Sequence, residues 1–272
     1  MKILPALPIL LPMATAVLSV LFRVDERRAH GVAIGGAVLH LIAGILLLAS
    51  VLEQEVLALW VGNWPAPFGI CLVADYLSAV MVVITAVIHT AVTVYARRDI
   101  DPHQVRTGFY PFMQILTAAV CGAFLTGDLF NLYVWFEVIL MASFGLLVMG
   151  HRPGQITGAV KYVTINLIST IFFITAIGLI YGLTGTLNMA DLHAKVAGVE
   201  NTALITAAAM LLMTAFGIKA ALFPLYFWLP AAYHTLPVSV SAFFAGMLSK
   251  VGVYALIRMF TLVFTTNTGI TH

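Results

Sequence analysis

Apolar runs of roughly twenty residues recur from one end of this 272-residue chain to the other, and each has the length a helix needs to cross a bilayer core about 30 Å thick. They lie near residues 3–22, 31–52, 72–95, 109–126, 128–149, 160–183, 203–223 and 238–264. Inside lipid every backbone N–H and C=O must be satisfied by the segment itself, so runs of this length cross as helices. The expected fold is therefore all-α: a polytopic transmembrane helix bundle of about eight spans. Only 9% of the residues are charged against 62% hydrophobic, too little charge to clothe a soluble protein of this length. No separate soluble domain is visible between the runs. A net charge of +2 with no basic cluster gives no reason to expect nucleic acid as a partner.

Two further features of the sequence carry less weight. Lys2, an apolar stretch and the small residues Ala14 and Ala16 imitate a secretory signal, but no soluble mature protein follows, so the segment is read as the first span. Cys71 and Cys121 stand far apart without His or carboxylate companions at ligand spacing. They read as two inert buried thiols, and neither a zinc site nor a disulfide framework nor any cofactor is expected.

Charge orders the loops. Arg23, Arg27 and Arg28 follow the first run, Arg97, Arg98 and Arg106 the third, and Arg152 and Lys161 flank the loop after the fifth. The alternate loops hold only Lys195, with Lys2 at the start. The Arg-rich set should face the cytoplasm, which puts the N-terminus outside. Glu53, Glu55, Trp60 and Trp64 then belong to an outer interfacial loop, a depth that suits tryptophan.

Once the loops are assigned, Glu137, Lys219 and Lys250 remain deep inside spans. A charge at the bilayer centre costs about 2.5–3.5 kcal/mol on insertion scales, so each requires a reason. Arg258 lies in the last span near its outer end, where its stem can snorkel to the interface. Glu137 sits about 13 Å along its helix by the helical rise. Lys219 precedes a Pro-punctuated half-helix near 224–235. Pro224, Pro230 and Pro237 have no N–H, which deprives the carbonyls of Ala220, Tyr226 and Tyr233 of their helical donors. Lys219 should thus stand beside carbonyls that water or an ion can partner. Around Lys250, the small residues Ala242 and Gly246, and Ser241, Ala245 and Ser249, repeat every four positions. That pattern marks a closely packed face and predicts Lys250 pointing into the bundle.

Burial favours the neutral forms of lysine and glutamate, while an opposite charge nearby favours the charged forms. One acid and two amines on a wet seam can therefore pass protons as the pairing or hydration changes. A static pair of Glu137 with one lysine, serving only to hold the bundle, is the structural alternative. The remaining polar groups carry weaker signals. His234, at the end of the half-helix, is the best placed of three histidines that can titrate near neutrality. His40 and His89 read first as hydrogen-bonded packing residues. Asp128 and Asp75 fit helix caps. Thr164, Asn166, Ser169 and Thr170 either line a wet path or bond to neighbouring helices, and Tyr226-Phe227-Trp228 reads as interfacial packing. A sodium site needs oxygens from several segments, and the sequence leaves any metal ligand unknown.

Three stretches carry a family resemblance: GDLFNLYVWFEVILMASFGLLV (Gly127–Val148), FGIKAALFPLYFWLPAAY (Phe216–Tyr233) and SAFFAGMLSKVGVYALIR (Ser241–Arg258). They resemble the antiporter-type membrane subunits shared by respiratory complex I, membrane-bound hydrogenases and multisubunit cation/proton antiporters. Within that group, NWPAPFGICLVAD (Asn63–Asp75) and GTLNMADL (Gly185–Leu192) are most similar to the D subunits of Mrp-type sodium/proton antiporters. The resemblance implies that Glu137, Lys219 and Lys250 belong to a hydrated proton axis, with Pro224 marking the helix break. It also implies three N-terminal helices in 1–108 and the first of two inverted five-helix repeats in 109–272. The second repeat is absent, so the chain reads as an N-terminal half, a fragment or split gene product whose Thr271-His272 end looks like an interrupted loop. The implied partners are other membrane subunits, H⁺ and Na⁺, in a bacterial or archaeal plasma membrane. A proton-pumping subunit of a redox complex and a purely structural membrane scaffold are the alternatives. No metal-ligand cluster, nucleophile–base set or phosphate-binding glycine loop points to an enzyme.

Overall fold

The computed structural model describes residues 3–64 and 66–265, so Lys2 and Thr271-His272 lie outside the described residues. Its long helices are α1 (Leu7–Leu21), α2 (Glu26–Gln54), α3 (Tyr76–Asp99), α5 (Phe109–Leu125), α6 (Leu129–Val148), α7 (Pro153–Thr184), α9 (Thr202–Lys219) and α11 (Val238–Val263). The short helices α4 (Pro102–Thr107), α8 (Met189–Val196) and α10 (Trp228–Tyr233) connect them. Seven described helices are long and apolar enough to cross a membrane, α1 counted with the short 3₁₀ turn before it. The eighth crossing is α5, whose 17 residues match the lower limit for a span.

Local chemistry sets the ends. Asp25 accepts from the backbone N–H of Arg27 and Arg28 to start α2, Asn188 accepts from Ala190 and Asp191 to start α8, and Asn201 accepts from Leu204 to start α9. These side chains occupy backbone donors that have no helical partner. Gly185, at φ 69°, ends α7 in the left-handed conformation, which glycine adopts without steric penalty.

All of α5 except Phe112 and Ile115 is buried, and α1, α3 and α6 pack around it. The outer helices turn Val17, Leu39, Ile45, Val87, Ile171 and Met210 outward, an apolar coat suited to lipid.

One expected span changes form at its start. Residues 72–75 are not helical: β1 (Leu57–Trp60) and β2 (Cys71–Ala74) form an antiparallel hairpin pairing Leu57 with Ala74 and Trp60 with Cys71. A four-residue apolar run does not reveal by periodicity whether it is strand or helix. Asp75 then caps α3 through a capping box with Ser78.

The alternation of ends agrees with the charge reading. Arg106 pairs with Glu26 at 3.3 Å, and Asp99 accepts from the backbone N–H (2.7 Å) and hydroxyl (2.6 Å) of Ser239. These contacts gather the Arg-rich ends of α2, α3, α4 and α11 on one side.

Arg258 is held at the opposite side, and it does not snorkel freely. Its guanidinium pairs with Asp75 and donates to the Tyr254 hydroxyl at 2.9 Å, and Tyr254 donates to the Phe124 carbonyl at 2.6 Å. This chain of bonds ties together the outer ends of α3, α5 and α11. Burial pushes the Asp75 carboxyl upward, but the Arg258 bond and the Ser78 backbone N–H outweigh it and hold the group below the usual carboxylate range. A carboxyl depressed in this way stabilises the fold above its ordinary pKa of about 4, and that contribution is lost as pH falls through the folded value. Replacing Arg258 with Leu should cost about 1–3 kcal/mol at neutral pH, read as a lower thermal midpoint in detergent. The gap from the parent should narrow once the pH falls below about 4, where the unfolded Asp75 is protonated.

Candidate functional site

The site lies where α6, α7 and α9 meet. Glu137 projects from α6, half-buried, and its carboxylate accepts a 2.6 Å hydrogen bond from the Thr170 hydroxyl of α7. Lys219 is the last residue of α9 and only 5% exposed. Its ammonium lies 4.8 Å from the centroid of Phe136, the neighbour of Glu137, so the ring face supplies part of the attraction that water would otherwise give. Phe136 stacks on Phe216, and Phe173 meets Phe216 edge-on at 4.8 Å, so aromatic rings wall the site.

Beside Lys219 is a cavity of about 20 Å³, lined also by Phe136, Tyr162, Asn166, Trp228 and Leu248. A void of that size holds about one water, and Tyr162 and Asn166 provide polar walls. Tyr162 lies 2.7 Å from the Ser143 hydroxyl, and Asn166 donates to the Tyr162 carbonyl at 2.8 Å. Among the described residues no carboxylate lies within 4.0 Å of Lys219. A closed Glu137–lysine ion pair, the static alternative, is therefore not the arrangement seen.

The helix break differs from the sequence expectation. The chain leaves α9 at Lys219, Ala221 adopts φ 55°, and α10 begins only at Trp228. The Ile218 carbonyl accepts from the Ala221 N–H at 3.1 Å and from the Trp228 indole N–H at 3.0 Å. Pro224 lies exposed in the intervening turns. Gly252 of α11 closes the site from the other side. A Cβ built there falls 2.5 Å from the Ala220 nitrogen and 2.8 Å from the Lys219 carbonyl carbon, so the two backbones touch and glycine is required.

Lys250 departs most from expectation. It is exposed, and its ammonium donates within its own helix, to the Ala245 carbonyl and to Ser249. The cause is a wide, π-helical turn over Phe244–Leu248. The buried positions of α11 run Phe243, Phe244, Met247, Leu248, Val251 and Gly252, a repeat of four residues rather than 3.6. The small-residue face bearing Ala242, Ala245 and Lys250 turns outward, and the packing glycine is Gly252.

His234 is exposed, with its Nδ1 2.6 Å from the Pro230 carbonyl, and it does not line the Lys219 cavity. Asp128 is a cap, accepting from the Asn131 N–H at 2.8 Å. Of the polar row, Asn166 and Thr170 serve the site, Ser169 donates to the Ala215 carbonyl of α9 at 2.8 Å, and Thr164 faces outward. His40 and His89 are fully buried and meet each other. His40 lies 3.3 Å from Cys121, whereas neither ring nitrogen of His89 has a partner among the described residues. Among the described residues no group of three or more His, Cys, Asp or Glu is placed to hold a metal ion.

Residues 126–272 match the family described as NADH:quinone oxidoreductase/Mrp antiporter, TM. The chain is 42% identical to the D subunit of the Na(+)/H(+) antiporter of Alkalihalophilus pseudofirmus, over 100% of its own length and 55% of that protein. It is also 42% identical to the D subunit of a probable K(+)/H(+) antiporter of Rhizobium meliloti, over 97% and 50% respectively. In a structure of the Mrp complex from Dietzia sp. DQ12-45-1b, one chain superposes with a TM-score of 0.88 at 30% identity, over 97% of this chain and 49% of that one. The chain thus spans about half the length of the relatives it matches.

The Gly252 contact is directly testable. Gly252→Val should separate α11 from the end of α9 and cost about 1–3 kcal/mol, measured as a fall in thermal midpoint. Gly178→Ala, which adds a Cβ with nothing within 4 Å inside α7, should leave it unchanged or raise it slightly, since alanine is the better helix former.

Proposed function

The chain belongs to the NADH:quinone oxidoreductase/Mrp antiporter transmembrane family, and on that premise we propose that it works as a membrane subunit of a multisubunit monovalent cation/proton antiporter. In this reading residues 1–108 supply three N-terminal helices and residues 109–272 the first five-helix repeat. It is a transporter subunit rather than an enzyme, and its partners are other membrane subunits of the same assembly. Sodium is the cation named for one relative and potassium for another at equal identity, so the cation is proposed only as monovalent.

The observation that carries the reading is a buried Lys219 beside a water-sized cavity, with no carboxylate in contact among the described residues. An ammonium in low dielectric persists only while water, a ring face or a counter-charge supports it. Approach of Glu137, or a water between Glu137 and Lys219, favours a proton on the amine, and their separation favours its release. Thr170 holds the Glu137 carboxylate on the α7 side, so the strength of that bond sets how readily the acid swings toward Lys219. Lys250, on the exposed face of α11, is the point at which protons leave this chain for a neighbouring surface.

The test uses the assembled complex in proteoliposomes. Glu137→Ala and Lys219→Ala should each abolish cation-driven proton flux while the complex is recovered intact. Normal flux with normal assembly removes both residues from the mechanism. Lys250→Met should likewise stop flux, and unchanged transport would reduce that lysine to a structural residue.

A further inference from the structure

A second buried polar system lies away from Glu137 and Lys219, between α2, α3 and α5. On α2, His30, Ala33, Ala37 and His40 share one buried face, and on α5 so do Tyr110, Gln114, Thr117 and Cys121. The two faces meet rung by rung. His30 Nδ1 lies 2.7 Å from the Tyr110 hydroxyl, Gln114 donates to the Ala33 carbonyl at 3.4 Å, and His40 Nε2 lies 3.3 Å from Cys121 Sγ. The lowest rung opens to a cleft of about 490 Å³ at the Arg-rich side, lined by Glu26, Arg27, His30, Arg97 and Tyr110. The uppermost is the His40–His89 pair, with ring centroids 5.6 Å apart. By the helical rise, ten residues from His30 to His40 carry the row about 15 Å inward.

The top of the ladder is left chemically incomplete. Among the described residues, His40 Nδ1, both ring nitrogens of His89 and the Gln114 amide oxygen are buried without a partner. A buried polar atom without a partner is costly, and these four in one row mark a place that water can satisfy. A neutral imidazole offers one donor and one acceptor, and water satisfies both. The side chains found against the rings are Cys121 of α5 and Phe243 of α11. Among the described residues the titratable groups facing the pair are therefore the two rings and the Cys121 thiol, with no carboxylate to fix a permanent imidazolium. The pair also has a destination. Asp99 anchors Ser239 at the inner end of α11, His89 lies ten residues from Asp99, and Lys250 lies eleven from Ser239. His89 packs against Phe243 of α11, and Lys250 lies seven residues further along that helix, about 10 Å by the helical rise.

We propose that His40 and His89 form a hydrated proton-binding site, reached by water from the Arg-side cleft past His30, Tyr110, Gln114 and Cys121. A proton carried in on that water passes to a free nitrogen of His89 or to Nδ1 of His40, one O–H bond breaking as one N–H bond forms. The water is left neutral, and the ring holds the positive charge until it gives the proton to another water. The inference rests on the transport reading above but concerns different residues, so the two can fail separately.

The test again uses the assembled complex. His40→Gln and His89→Gln keep a polar side chain of similar reach that cannot carry a proton. Both should assemble normally, with proton flux reduced roughly tenfold or more. Flux within twofold of the parent, while Glu137→Ala is inactive, overturns this proposal and leaves the transport reading standing. Where the variants fail to assemble, the parent complex decides. With ¹⁵N-histidine labelling, solid-state NMR should show magnetisation passing from water to the buried ring nitrogens of His40 and His89, and a dry pair overturns the proposal.

Discussion

The arrangement depends on how an ammonium is kept inside a membrane. Among the described residues Lys219 has no acid in contact, and what it has instead is the face of Phe136, a water-sized void and a position at the very end of α9. Each of these requires a neighbour. The ring is held by Phe173 and Phe216, the void by Tyr162 and Trp228, and the helix end by the backbone contact with Gly252. An apolar side chain at this position would make none of the three demands, so the burial of Lys219 is a cost that the rest of the fold carries.

The two ends of the bundle solve different problems. On the Arg-rich side the contacts are caps and exposed pairs such as Arg106–Glu26, each worth little in water. On the other side Asp75, Arg258, Tyr254 and the Phe124 carbonyl form one partly buried chain that fixes α11 against α3 and α5. That anchorage holds α11 at Arg258, between two stretches, Phe244–Leu248 and Met259–Val263, that depart from regular α-helical winding.

Hydropathy reveals all eight spans because it reads a requirement that lipid imposes on every backbone group. Glu137 and Lys219 are legible for the same reason: a charge where none is tolerated stands out without coordinates. What sequence hides is rotation and convergence. A 3.6-residue count turns Lys250 inward, and the π turn at Phe244–Leu248 shifts the phase. The apolar run around Lys219 continues toward Pro224, which draws the expected break to itself, while the helix stops at Lys219 and the chain turns at Ala220 and Ala221. Cys121 has no companion at any local ligand spacing, since His40 is 81 positions away and no spacing rule spans that distance. The hairpin at 57–74 escapes periodicity because its strands are four residues each.

The Trp228–Ile218 bond has a mechanical consequence. A discontinuous helix in a transporter is often pictured as a hinge, with loose carbonyls free to bend or to grip an ion. Here the buried Ile218 carbonyl takes both the Ala221 N–H and the Trp228 indole N–H, and Trp228 is itself packed against Tyr162. That indole bond fastens the start of α10 to the last turn of α9, beside Lys219.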